Sequence, residues 1–144
     1  MAVTCKLYGN AISKAFNGEI DWDTNTIRVM LCTSSYTPDQ DAHEYKDDIT
    51  NEITGTGYTA KGAALASKTN TYTAATNTVK LDAADVSWSS STITARYAIV
   101  YRDTGTNSTS PLIGYVDFGE NVSSYQGTFT ITWNASGVAS FVAA

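Results

Sequence analysis

From residue 70 onward the chain is a succession of short runs rich in β-branched and aromatic residues. Turn-forming residues end each run at the spacing of roughly 8–12 positions that marks sandwiches and barrels. Thr71–Ala74 and Thr78–Asp82 flank a turn centred on Asn77, and Val86 and Trp88 share a face two residues apart, which is the period of a strand. Thr92 to Tyr101 places Ile93, Ala95, Tyr97, Ile99 and Tyr101 on one face against Thr94, Arg96, Ala98 and Val100. Pro111 opens a strand through Phe118, Gly119 to Gln126 reads as a loop, and Thr128 to Trp133 alternates again. Asn134 to Gly137 turns into a last strand, Val138 to Val142. No βαβ alternation, repeat or linker interrupts the series. The expected fold is a single all-β domain over residues 1–144, a mostly antiparallel β-sandwich or jelly-roll-like arrangement.

The first half is less regular. Leu7, Ala11, Ile12, Ala15 and Phe16 form a helical stripe that Gly18 is placed to end, so one short N-terminal α-helix is expected. Met1 to Lys6, too short and uncapped for a core element, reads as an extended N-terminal arm able to order on a neighbour. Asp21 to Asn25 is a turn cluster, and Thr26 to Thr33 an apolar run expected as a buried strand. Ser34 to Ile53 is polar and acidic, a surface excursion with room for one helical turn within His43 to Asp48. Gly55 to Tyr58 is a corner, and Ala60 to Ala66 carries no clear pattern.

Charged residues make up 16% of the chain, against about 25% in an average domain. Ser and Thr take their place, a composition that suits surfaces destined for protein contact, where each charge must be desolvated. The net charge is −5 and the basic residues are scattered singly. Binding to nucleic acid needs a clustered basic footprint, and binding to anionic membranes needs polybasic segments, so neither partner is expected. The N-terminus lacks a charged region followed by an apolar one, and no run reaches the ~20 apolar residues of a membrane span. Synthesis in a reducing cytoplasm follows as the expectation, with Cys5 and Cys32 as free thiols.

Reactive constellations are sparse. The one histidine, His43, lies in the acidic stretch Asp39–Glu44 and is expected as an exposed loop residue, with no Gly-x-Ser-x-Gly elbow to partner it. The neighbouring carboxylates Asp21/Asp23, Asp47/Asp48 and Asp82/Asp85 are explained by turns and strand ends rather than by acid–base work. Asp21-x-Asp23-x-Asn25 starts like an EF-hand loop, but Thr26 stands where the glycine belongs and Cys32 where the closing Glu belongs. A looser calcium site on Asp39, Asp41 and Glu44 is the remaining metal alternative. Gly55-Thr56-Gly57 lacks the following lysine of a phosphate loop. No catalytic residue, metal or cofactor is therefore assigned. Trp88, Trp133, Phe129 and Ile99 read as core, whereas Tyr36, Tyr45, Tyr58 and Tyr125 fall in expected loops and are the candidate interface residues. Protein contact is favoured there over carbohydrate.

Several segments resemble small structural proteins, of the head decoration or head fibre type, from the virions of tailed bacteriophages. They are Leu7-Tyr8-Gly9-Asn10, Glu19-Ile20-Asp21-Trp22-Asp23 and Thr33-Ser34-Ser35-Tyr36-Thr37-Pro38-Asp39-Gln40-Asp41, and later Ala95-Arg96-Tyr97-Ala98-Ile99-Val100-Tyr101 and Pro111 to Gly119. The resemblance runs through nearly the whole chain, and its motifs are structural, so it brings no catalytic residues. It implies a place on the virion, with the major capsid protein and further copies of this chain, as a homotrimer, for partners. A capsid decoration (cement) protein is the first expectation. A tail, head-fibre or host-adhesin component is the second, and a sugar hydrolase a distant third.

Overall fold

The computed structural model describes residues 2–143. It is mostly antiparallel β-structure in two sheets, a sandwich-like arrangement with one short helix. The elements are β1 (Thr4–Leu7), α1 (Ala11–Phe16), β2 (Ile27–Cys32), β3 (Ala63–Ala64), β4 (Thr69–Thr73), β5 (Thr78–Asp82), β6 (Val86–Arg102), β7 (Leu112–Ile131) and β8 (Ala139–Val142), with single 3₁₀ turns at Lys46–Asp48 and Asn107–Thr109. The larger sheet runs β1-β7-β6-β2-β3 and the smaller β4-β5-β8.

The two long strands β6 and β7 are the spine, and they are not regular. Along β6 the residues buried against the main core are Val86, Trp88, Ile93, Ala95, Ala98 and Val100, with Ser91 also buried between them. Strict alternation cannot produce that series, because a residue must be inserted wherever parity changes. The first change lies between Trp88 and Ser91, where Ser90 takes a positive φ of 49°. The second lies between Ala95 and Tyr97, which face Val122 and Asp117 respectively, so Phe118 to Asn121 bulge out of register. Arg96 closes this second irregularity by forking onto Asp117 (Nε–Oδ1 2.6 Å), which also accepts the Gly119 N–H at 2.8 Å.

That bulge corrects two expectations. Ile93 to Tyr101 do not share one face: Ile93 and Ala95 belong to the main core, while Ile99 and Tyr101 belong to a second cluster with Tyr8, Met30, Cys32, Tyr36 and Leu112. Gly119 to Gln126 is strand rather than loop, since Val122, Ser123 and Ser124 pair with Ala95, Thr94 and Ile93. Its turn-like residues are absorbed by the bulges at Gly119 (φ 80°) and Gln126 (φ 48°).

The helix is shorter than its stripe. Leu7 belongs to β1, and Thr4 to Leu7 pair with Asp117 to Gly114 of β7, so from Thr4 on the expected N-terminal arm is an edge strand of this same chain. Met1 lies outside the described residues. Only Ala11 of the helix is buried, while Ile12 is 47% and Phe16 88% exposed. The cause is Lys14, which turns inward onto Glu44 (2.7 Å) and Glu19 (3.3 Å) and so points the apolar stripe outward. The patternless Ala60–Ala66 segment forms β3 beside β2. Gly62 permits it, since its φ is 73° and a Cβ there would lie 1.8 Å from the Val29 carbonyl oxygen. The helical turn expected within His43–Asp48 is present at Lys46–Asp48, and β5 covers Thr78–Asp82 as expected.

Candidate interaction surfaces

The four candidate tyrosines do not form one surface. Tyr36 is 1% exposed. Its hydroxyl meets the Tyr8 hydroxyl at 2.8 Å and His43 Nδ1 at 2.9 Å, and its ring stacks on the imidazole at 5.6 Å between centroids. His43 Nδ1 also accepts the Asp39 N–H at 3.3 Å, so in the neutral ring the proton sits on Nε2. Tyr36 then donates to His43, and Tyr8 donates to Tyr36. Burial pushes both phenols far above their ordinary pKa, with their mutual hydrogen bond adding at Tyr8. His43 is thus half-buried and structural rather than an exposed loop residue.

Tyr58 is half-buried as a clasp. Its hydroxyl accepts the Leu31 N–H at 3.0 Å and donates to Glu52 Oε1 at 2.8 Å, and that oxygen also takes the Lys61 N–H at 2.6 Å. The side chain satisfies the edge of β2 that faces away from β6, beyond the end of β3, and burial pushes its pKa far up. Tyr45 is half-buried between Lys14 and Glu19, which its hydroxyl reaches at 3.3 Å. Of these four, only Tyr125, 79% exposed, offers its ring to solvent. Tyr36 is therefore closed off from a partner, while Tyr45 and Tyr58 stay half-buried with their hydroxyls bound inside the chain. Of the residues read as core, Trp88, Phe129 and Ile99 are buried, and Trp133 packs on the main core with its indole N–H on the Ala84 carbonyl (3.1 Å).

Of the carboxylates singled out by sequence, Asp21, Asp39 and Asp48 each bind two backbone N–H groups. Asp21 accepts the N–H groups of Asp23 and Thr24 (3.1 Å each), Asp39 those of Ala42 (2.9 Å) and Asp41 (3.1 Å), and Asp48 those of Glu44 (2.8 Å) and Tyr45 (3.1 Å). These bonds hold all three below the usual carboxylate range. Glu44 is turned away onto Lys14, so Asp39, Asp41 and Glu44 do not converge on a metal. Among the described residues no three His, Cys, Asp or Glu side chains come together as a metal-binding group.

The surfaces left unpaired lie elsewhere. The smaller sheet covers the larger one incompletely, with every residue of β4 exposed and those of β5 only half-buried. A cleft of about 800 Å³ opens where β8 stops short of β1 and β7, over Val116, Phe118, Phe129 and Ile131. A second groove, about 410 Å³, separates α1 from the inner face of the smaller sheet. On the opposite side, the outer face of β6 and β7 beyond the Arg96–Asp117 bulge presents Ser87, Ser89, Thr92, Thr94, Ser123 and Thr130, all exposed. Residues 86–95 and 119–133 contain one charge, Glu120.

No family model matches the chain, and no curated protein or solved structure matches it. Sequence reasoning missed both apolar openings, because their walls come from segments far apart in the chain. The exposed Ile12 and Phe16 were visible only as a stripe whose direction was unknown.

Proposed function

We propose that this chain is a structural protein of a bacteriophage virion, a capsid decoration (cement) protein. It would sit on the outer face of the major capsid protein lattice, in association with further copies of itself, as a homotrimer. The observation that carries this reading is the nearly charge-free Ser/Thr outer face of β6–β7, with an unfilled apolar cleft on the other side of the same strands. Such a surface can be covered by protein with little charge desolvation, and contact cores are depleted of charge for that reason. The segments that resemble virion proteins point the same way. No part of the reading calls on a nucleophile, metal or cofactor, and nothing in it needs nucleic acid or a membrane. Particles assembled with and without the chain test it. Decorated heads should carry it in proportion to the major capsid protein and retain DNA to a higher temperature. Equal heat resistance of both particles would remove the cement role.

A tail, head-fibre or host-adhesin role is the second reading, and Tyr125 favours it. An exposed ring on a hydroxyl-rich face is suited to stacking on a sugar. Glycan-array binding that is lost in Tyr125→Ala, with only a few copies per particle, would select this reading over decoration.

A further inference from the structure

The groove beside α1 has a feature the larger cleft lacks: a projecting side chain at its own lip. Ile12, Ala15 and Phe16 form one wall, and Val79, Leu81 and Phe141 form the other. No charged side chain lines it, and Asn70 is its one amide. Phe16 stands at the edge with 88% of its surface exposed, and Tyr72, on the same sheet face as Val79, is 55% exposed. The stripe faces outward with Lys14 turned inward onto Glu19 and Glu44.

We infer that the occupant of this groove is a second copy of the chain, with Phe16 of each copy seated between α1 and the smaller sheet of another. A copy fits the groove on three counts: shape, charge and area. A protrusion and a hollow on the same patch are what an isologous two-fold contact requires, and a ring would seat Phe16 of one copy in the groove of the next. A chain of net charge −5 repels itself where its acidic groups meet, and no charged side chain lines this groove. The two rings supply about 300 Å² of apolar area toward the roughly 800 Å² per partner of a stable contact, and Ile12 and the groove walls extend it. The inference rests on the proposed function only in naming the surface through which its copies associate. It is read on the purified chain with no particle present.

The test is mass in solution, by light scattering and sedimentation across about 1–100 μM, under reductant so that the exposed Cys5 forms no crosslink. The wild type should form a dimer or trimer. Phe16→Asp should be monomeric, with association weakened at least about thirtyfold, and Ala15→Trp, which fills the groove from inside, should do the same. Tyr125→Asp, at another exposed ring outside the patch, should leave the mass unchanged, and unchanged circular dichroism should show that all three variants fold. A wild type monomeric throughout, or one whose association survives both groove variants, overturns the inference. Association with this pattern in a chain that never joins a particle would retain the inference and remove the virion reading.

Discussion

On one side of the Arg96–Asp117 bulge the β6–β7 ribbon is buried on both faces, and on the other side it is buried on one. Nearer the Arg102 end, Ala98, Val100 and Val116 face the main core, while Ile99, Tyr101 and Leu112 face a second core roofed by the 33–53 loop through Tyr36 and Ile49. Toward the Val86 end, Trp88, Ile93 and Phe129 are buried beneath an outer face of bare Ser and Thr hydroxyls. Backbone pairing is the same kind in both halves, so hydrogen bonding does not explain the difference. The outer-face side chains do: aromatic and aliphatic groups recruit a cover, and hydroxyls leave the face open. A long polar loop that looked like a surface excursion is thereby a lid, because its few apolar residues point down. The open half is where the chain has surface to give to a partner.

The largest expected effect breaks the comparison if it fails. Ile99→Ala, on the doubly covered half and fully buried, should cost about 2–5 kcal/mol in chemical denaturation. Next, His43→Ala removes the acceptor of the Tyr36 hydroxyl at 2.9 Å and should cost about 1–3 kcal/mol. A loss near zero would mean the lid is not held by that chain of hydroxyls.

Acid should open the lid before the open half responds. Asp39 and Asp48 organise the 33–53 loop, and backbone N–H groups hold their carboxyls below the usual range. A depressed folded-state pKa contributes stability that is present above the unfolded value near 3.9 and lost as pH falls through the lower one. Protection of loop amides should therefore drop below about pH 4. Cys32 gives an independent readout at neutral pH. It is fully buried beneath the lid, and burial, with Glu52 adding, pushes its thiol up to about 12. A thiol reagent should label the exposed Cys5 at once and Cys32 only as the structure opens. The smallest effect is expected on the open face, where Thr94→Ala loses only an exposed 2.7 Å contact with Ser123 and should change stability by less than about 0.5 kcal/mol. A loss there as large as that of Ile99→Ala would erase the distinction between the halves.

Much of this was legible in the chain before folding. Strand period, turn residues and the shortage of charge identify an all-β domain, and β2 and β5 fall where local pattern puts them, because period-two burial is written in neighbouring residues. Long-range events were not legible. The β-bulge that moves Tyr97, Ile99 and Tyr101 to another face depends on register against β7, and the outward turn of Phe16 depends on Lys14 meeting Glu44. Tyr36 and Tyr58 are buried because His43, Tyr8, Glu52 and Leu31 came to meet their hydroxyls. Pattern along the chain reports which residues prefer burial; which of them achieve it is settled by partners distant in sequence, and the surfaces left over are what such a protein has for binding.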